Sequence, residues 1–369
     1  MSAQDFELRR HKLIRSLKSA DIDSLLVSSE TNVRYLTGFT GDSSWLFISS
    51  GNTILISDSR YSTQIGKECP GLDTEIRGVG KSMPDAAAAI VKKAGVTHLG
   101  VEGNHLTISQ HASLENTVTR AQLIVTDSLT EQLRVIKDKW EIAQIRQAIH
   151  QAERGIAVLR ASVRPNQTET EIRYALEASM RDFGAAGPAF EPIVGVGPTA
   201  ALPHAHSGVR MIEESPLLLV DWGAQSKSGY RSDLTRVFFT GTVTKKMQNV
   251  YQTVLDAQQA AIQKIKPGVA CKDVDAVARG IISDAGYGRK FGHGLGHGIG
   301  LDIHEAVRLG PGSNEILKPG MIVTVEPGIY LKGRFGVRIE DDVLVTRGGF
   351  QVLTSVPQEF DDAMIDFLA

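Results

Sequence analysis

Four carboxylates stand at or near the ends of apolar runs in the second half of the chain. Pro216-Leu-Leu-Leu-Val-Asp221 ends in an acid, and Asp233 follows twelve residues later inside Gly229-Tyr-Arg-Ser-Asp-Leu-Thr-Arg236. Read as two arms of an antiparallel hairpin, the segments turn around Lys227, and Asp221 and Asp233 oppose each other on one face. The pattern recurs in Met321-Ile-Val-Thr-Val-Glu326 and Gly336-Val-Arg-Ile-Glu340, whose acids are equidistant from Gly333. Like charges placed so destabilise a ladder unless a cation lies between them. A single pair would read as acids at exposed strand ends. Two pairs in matching positions read as a divalent-metal site.

Histidines cluster beside these acids. His293, His297 and His304 lie within Phe291-Gly-His-Gly-Leu-Gly-His-Gly-Ile-Gly-Leu-Asp-Ile-His-Glu305. The spacing of His293 and His297 matches a helical zinc motif, but the intervening glycines argue against a helix and the general-base glutamate is absent. Glycines instead let the backbone run extended and close to something bound. His204, in Leu202-Pro-His-Ala-His206, reads by itself as a loop histidine. Two other motifs carry no chemistry. Gly195-Val-Gly197-Pro-Thr-Ala200 has the glycines of a dinucleotide loop, but its prolines leave no room for the required helix. Gly80-Lys81-Ser82 lacks the first glycine of a phosphate loop.

These residues need elements to hold them. Two helices, about 138–162 and 168–183, precede the first acid pair, and Thr168 with Glu171 predicts a capping box. Two more, about 244–265 and 271–285, precede the second pair, with Lys266-Pro267-Gly268 and Gly286 as stops. The second part thus reads as a helix-helix-hairpin unit used twice, its halves facing a shared centre. Before it, apolar runs at Ser24–Ser29, Trp45–Ile48, Thr53–Ile56 and Leu99–Glu102 alternate with helical stretches at 4–19, 60–67 and 83–94, the pattern of a small α/β domain. The expected division is 1–134 and 135–369.

Composition narrows the partners. The 369 residues carry 40 Lys+Arg against 42 Asp+Glu, so no basic excess favours nucleic acid or an anionic membrane. No long apolar run predicts a membrane span or a signal peptide. Two cysteines far apart in sequence, Cys69 and Cys271, exclude a disulfide framework and make the cytoplasm the expected compartment.

Taken together, Asp221-Trp-Gly-Ala, Ser232-Asp-Leu-Thr-Arg236, the Gly-His segment, Val325-Glu-Pro-Gly-Ile-Tyr330 and Val337-Arg-Ile-Glu-Asp-Asp342 resemble the pita-bread metallopeptidases. That family includes aminopeptidase P, prolidase, methionine aminopeptidase and creatinase. Asn32-Val-Arg-Tyr-Leu-Thr-Gly-Phe39 and Asp58-Ser-Arg-Tyr61 resemble the N-terminal domain of the creatinase/prolidase branch, and the whole is most like a short Xaa-Pro dipeptidase. The resemblance implies an α+β fold, with an N-terminal creatinase-like α/β domain and a C-terminal pita-bread catalytic domain of pseudo-twofold halves. It implies metal ligands Asp221, Asp233, His297, Glu326 and Glu340, with Asp233 and Glu340 bridging two divalent ions, Mn²⁺ first and Co²⁺ or Zn²⁺ as alternatives. Such ions would lower the pKa of a bridging water to give hydroxide near neutral pH. Glu326 would shuttle the proton, His293 and His304 would stabilise the tetrahedral intermediate, and His204, Arg338 and Tyr330 would meet the substrate. The implied substrate is a small peptide with proline second, and the implied assembly a homodimer.

Three rivals share parts of this pattern. Methionine aminopeptidases lack the N-terminal part, creatinase does not keep the ligands, and a binding-only member typically loses them. Aminopeptidase P acting on longer peptides stays open. One departure stands out: Asp221 and Asp233 are one residue further apart than is usual in the family. The extra residue either sits in the turn Gln225-Ser-Lys-Ser228 or forms a bulge near Asp233 that weakens one metal position.

Overall fold

The capping box expected at Thr168 is formed. The Thr168 side chain accepts from the backbone N–H of Glu171, whose carboxylate accepts from the N–H of Thr168, and the helix Glu169–Asp182 begins there. Asp138 and Glu141 build the same device at the start of Lys139–Ser162. Each such cap is worth about 1 kcal/mol, enough to set where a helix begins. The computed structural model describes residues 5–365 and 367 and divides by its internal contacts into Met1–Arg134 and Val135–Ala369. Among these residues no helix is long and apolar enough to cross a membrane. Cys69 and Cys271 are both free and buried.

Unit 1 is a six-stranded mixed sheet with helices. Its strand order is Asp73–Arg77, Thr53–Asp58, Trp45–Ser49, Ser24–Val27, His98–Glu102 and Gln122–Thr126. The central strands are apolar and buried (Leu25, Leu26, Leu46, Phe47, Leu55 and Ile56 are fully covered), as a two-sided sheet requires. Helices Phe6–Ser19, Ser62–Glu68 and Met83–Ala94 fall where the sequence places them. Helices Glu30–Thr37 and Ile108–Thr117 and the two edge strands Asp73–Arg77 and Gln122–Thr126 are additions.

Unit 2 contains the repeated plan. Helices Lys139–Ser162 and Glu169–Asp182 precede a three-stranded sheet of Ile193–Val196, Leu217–Trp222 and Leu234–Phe239. Helices Lys245–Lys264 and Cys271–Asp284 precede a five-stranded sheet that includes Gly296–Gly298, Ile322–Val325 and Asp341–Thr346. The two-residue period of a strand sorts side chains between faces. In the first half Leu218, Val220, Trp222, Leu234 and Phe238 pack in one core cluster with Ile156, Ile172 and Leu176 of that half's helices. In the second half Val323, Val325, Val343 and Val345 do the same with Val250, Val254, Val274 and Ile282. Asp221 and Asp233 have the opposite parity to the first set, and Glu326 and Glu340 the opposite parity to the second. Each half therefore turns its acids away from its own helices.

The second hairpin has the expected register. Gly328 pairs with Arg338 and Leu331 with Phe335, around a turn in which Gly333 takes φ +70°. The same register resumes where Val325 pairs with Asp341, so Glu326 and Glu340 sit at the gap between two stretches of one ladder. The first hairpin differs from expectation. Asp221 pairs with Thr235, not Asp233, because the turn centres on Ser228 rather than Lys227. Ser226 N–H donates to Tyr230 O at 2.8 Å, and Gly229 takes φ +89° inside the three-residue loop. The register is unbroken from Gln225–Arg231 to Phe239–Leu217, so the extra residue lies in the turn and no bulge forms near Asp233. A slip of two residues preserves the face, so Asp221 and Asp233 still share one side.

Candidate metal centre

The structure gathers three of the five predicted ligands into one cluster and sets the other two beside it. Asp233, His297 and Glu340 are all buried, and each offers one ligand atom within 4.8 Å of the others. His297 Nε2 lies 3.7 Å from Asp233 Oδ2 and 3.5 Å from Glu326 Oε1. Asp221 enters through Arg338, whose guanidinium donates to Asp221 Oδ2, to Thr235 Oγ1 at 3.0 Å and to the Tyr330 hydroxyl at 2.9 Å. Thr235 in turn donates to Glu340 Oε2 at 2.6 Å. His293 Nε2 is 3.0 Å from the Tyr330 hydroxyl. The His304 ring stands edge-on to that of His297, with centroids 4.3 Å apart.

Glycines at two positions make the histidine segment fit. A Cβ on Gly296 would lie 1.9 Å from Thr324 O, and one on Gly298 would lie 2.3 Å from Ala306 O. The segment is extended, as expected, but the close approach is to neighbouring backbone rather than to a ligand. Strand Gly296–Gly298 is flanked on both edges, by Glu305–Leu309 and Ile322–Val325, and that confinement aims His297 into the cluster.

The electrostatics are those of a site built for cations. Burial, then Glu340 and Asp221, pushes the Asp233 carboxyl well above its ordinary value. Burial, then Glu326 and Asp221, does the same to Glu340, and burial pushes Glu326 up to about 7. Burial also raises Asp221, against the pull of Arg338. Burial and the nearby His304 lower His297 to about 3, so its imidazole is neutral, as a metal ligand must be. Its Nδ1 lies 3.1 Å from Gly298 O. That contact assigns the proton to Nδ1 and leaves the Nε2 lone pair facing two carboxylates. Asp221 Oδ1 is buried with no hydrogen-bond partner. Lone pairs that converge without donors repel one another, and a divalent cation among them removes the repulsion. Carboxylate oxygens with one imidazole form a hard, borderline donor set that fits Mn²⁺, Co²⁺ or Zn²⁺.

The cluster forms part of the wall of a cavity of about 520 Å³ that also reaches His204, His293, His304 and Arg338. Burial lowers His293 to about 4 and also lowers His304. Tyr330, whose hydroxyl burial pushes up to about 12, lines an adjoining cavity with His204 and His293. Arg338 is buried, and burial works against its charge, but Tyr330 and Asp221 more than offset this and hold it protonated. Three further residues were not singled out in the sequence. Thr235 links Arg338 to Glu340. Thr324 Oγ1 accepts from His297 N–H at 3.1 Å and donates to Glu326 at 3.4 Å. Arg308 lines the cavity with no ion pair among the described residues. The first two share strand parity with the acids, which is the signal that would have found them.

Comparison with known proteins gives the family. Residues 143–347 match the metallopeptidase family M24, and residues 9–136 match the creatinase/prolidase N-terminal domain. An uncharacterized peptidase of Bacillus subtilis is 38% identical over 352 residues, covering 95% of this chain and 99% of that protein. The structure of the Xaa-Pro dipeptidase from Bacillus anthracis superposes with a TM-score of 0.93 at 37% identity, covering 98% of this chain and 100% of the other. That of the X-Pro aminopeptidase from Thermotoga maritima gives 0.87 at 34%, covering 96% and 100%. The architecture is the expected α+β, pita-bread arrangement. The chain belongs to metallopeptidase family M24, an enzyme family that acts on peptides with the help of divalent metal ions.

Proposed function

We propose that this protein is an Xaa-Pro dipeptidase whose ligands are Asp221, Asp233, His297, Glu326 and Glu340. The observation that supports the metal site is the convergence of Asp233, His297 and Glu340, whose ligand atoms lie within 4.8 Å of one another with Thr235 donating to Glu340 alone; the Xaa-Pro part draws on the likeness to the Bacillus anthracis dipeptidase. Two ions bound there would lower the pKa of a water and polarise the scissile carbonyl. Mn²⁺ is the ion we favour, with Co²⁺ or Zn²⁺ as substitutes.

The chain's own groups do the rest. Glu326 borders the cavity beside His297 and is placed to take a proton from the attacking water and deliver it to the proline nitrogen. That nitrogen is tertiary in the peptide and must be protonated to leave as an amine. His304 faces the same cavity and meets the carbonyl oxygen as charge develops on it. His293 lines the cavity with Nδ1 2.7 Å from Gly294 O and Nε2 3.0 Å from the Tyr330 hydroxyl, and reaches the substrate once that hydroxyl contact is exchanged. Arg338 holds Asp221 and Thr235 in place, Tyr330 orients His293, and His204 closes the outer wall. Residues 135–369 form the catalytic domain, and residues 1–134 are a separate domain that supports a homodimer, testable by light scattering at assay concentration. We place the enzyme in the cytoplasm, in keeping with its two free cysteines.

A second reading, aminopeptidase P acting on longer peptides, draws on the likeness to the Thermotoga maritima X-Pro aminopeptidase. Mn²⁺-dependent hydrolysis of Ala-Pro against Ala-Pro-Pro separates the two. Faster turnover of Ala-Pro is expected, and cleavage of Ala-Pro-Pro alone would favour the second.

A further inference from the structure

A second cavity of about 410 Å³ adjoins the catalytic one and shares Pro203, His204 and His293 with it. Its other walls are Tyr330, Gly292, Arg289 and Lys290. No carboxylate lines it, and among the described residues neither Arg289 nor Lys290 has an ion-pair partner. Two unpaired cations on one wall make a positive field that water screens only in part. The backbone that bears the cations is tied to the catalytic segment. Arg289 and Lys290 lie in the short 3-10 turn Gly288–Lys290, closed by Lys290 N–H donating to Tyr287 O at 2.7 Å. The chain that follows is clamped by Arg279, which donates to Phe291 O at 3.1 Å and His293 O at 2.8 Å while Asp275 holds its guanidinium. The backbone that carries the two cations is therefore anchored beside His293, while both side chains are exposed.

We propose that Arg289 and Lys290 form a subsite for an acidic side chain of the substrate, so that the enzyme favours aspartyl-proline and glutamyl-proline over neutral Xaa-Pro dipeptides. This rests on the Xaa-Pro reading and adds the class of Xaa. The terminal carboxylate that every dipeptide carries already has a cation in the catalytic cavity, Arg308, which is also without an ion pair. Arg289 and Lys290 are thus surplus to what a neutral dipeptide needs. A volume of about 410 Å³ also accommodates a whole side chain rather than a carboxylate alone. Proline is uncharged, so an acidic side chain in such a dipeptide belongs to Xaa.

The test compares kcat/KM for Glu-Pro, Ala-Pro and Ala-Pro amide in the Mn²⁺-loaded wild type and in the double variant Arg289→Ala/Lys290→Ala. The ratio of Glu-Pro to Ala-Pro should fall by about tenfold, the effect of losing two solvent-accessible charge pairs. In the wild type the same ratio should fall as salt is raised. The charge-reversed Arg289→Glu/Lys290→Glu should shift preference toward Lys-Pro. An unchanged ratio overturns the proposal. So does an equal loss on Ala-Pro and Glu-Pro that spares the amide, since that assigns the cations to the terminal carboxylate. Should the wild type cleave no Xaa-Pro dipeptide, the functional reading fails. Isothermal titration of Glu-Pro and Ala-Pro into wild type and variant still decides the subsite: a Kd for Glu-Pro that does not weaken in the variant overturns it.

Discussion

Two buried carboxylate sites, one in each unit, solve the same problem in opposite ways. In unit 1, Glu102 accepts from Ser28 N–H at 2.6 Å, Ser29 N–H at 2.8 Å and Asn32 Nδ2 at 2.7 Å. Asn32 also donates to Glu131 at 2.6 Å and accepts from Arg134 at 2.9 Å. Burial raises the Glu102 carboxyl, and these donors pull it back. In unit 2, Asp233 and Glu340 are buried against each other and against Asp221; Thr235 donates to Glu340 and Arg338 to Asp221 Oδ2, but Asp221 Oδ1 has no partner. A buried acid ringed by donors is a strut. One crowded by other acids is suited to hold cations, whose charge would relieve the repulsion.

The sharpest way to break this contrast is Glu340→Ala. It should abolish divalent-metal binding, read by elemental analysis, and hydrolysis with it; retained activity would sink the two-metal assignment. Removing one of several repelling acids should leave the metal-free fold no less stable. His304→Ala tests the rim of the socket. Turnover should drop by roughly 100- to 1,000-fold, the cost of one transition-state donor, while metal stoichiometry stays normal. Loss of metal in that variant would move His304 into the ligand set.

The strut predicts the reverse behaviour. Glu102→Ala strands three donors and should cost roughly 2–4 kcal/mol in denaturant unfolding of unit 1, with metal content unchanged. Depleted metal in this variant would erase the distinction between the two sites. The smallest effect is on pH. The folded-state pKa of Glu102 lies above its ordinary value, so the folded form binds the proton more tightly than the unfolded one. Its contribution to stability is therefore fully present below the ordinary carboxyl pKa and declines as pH rises through the raised value. Thermal melts of wild type and Glu102→Gln should converge in acid and diverge as pH rises, the wild type losing ground. Parallel curves would show that the donors fully cancel the burial.

Much of the second unit was legible in advance. Apolar runs ending in acids define strands, and strand period defines faces, so the sharing of a face by Asp221 and Asp233 survived an error in their pairing. That error came from the turn. Placing the centre midway between the acids ignores Gly229, whose positive φ moves it to Ser228. Around Gly333 the same reasoning succeeded because the turn there is symmetric about the glycine. Unit 1 was less legible at its margins. Helix Ile108–Thr117 buries only Leu114, and strand Gln122–Thr126 exposes Val125, so neither carries the apolar period that announces an element.

By itself the sequence determined which residues are the candidates for the chemistry and which side of each hairpin they occupy, because residue type and a period of two are local properties. Only the tertiary structure decided how the expected convergence of the two halves is built, that Arg338 is drawn to Asp221 rather than left free, and that two unpaired cations stand one cavity away. Those outcomes depend on groups brought together from distant parts of the chain, Thr235 and Glu340 from more than a hundred residues apart, and no spacing rule reaches across a packed core.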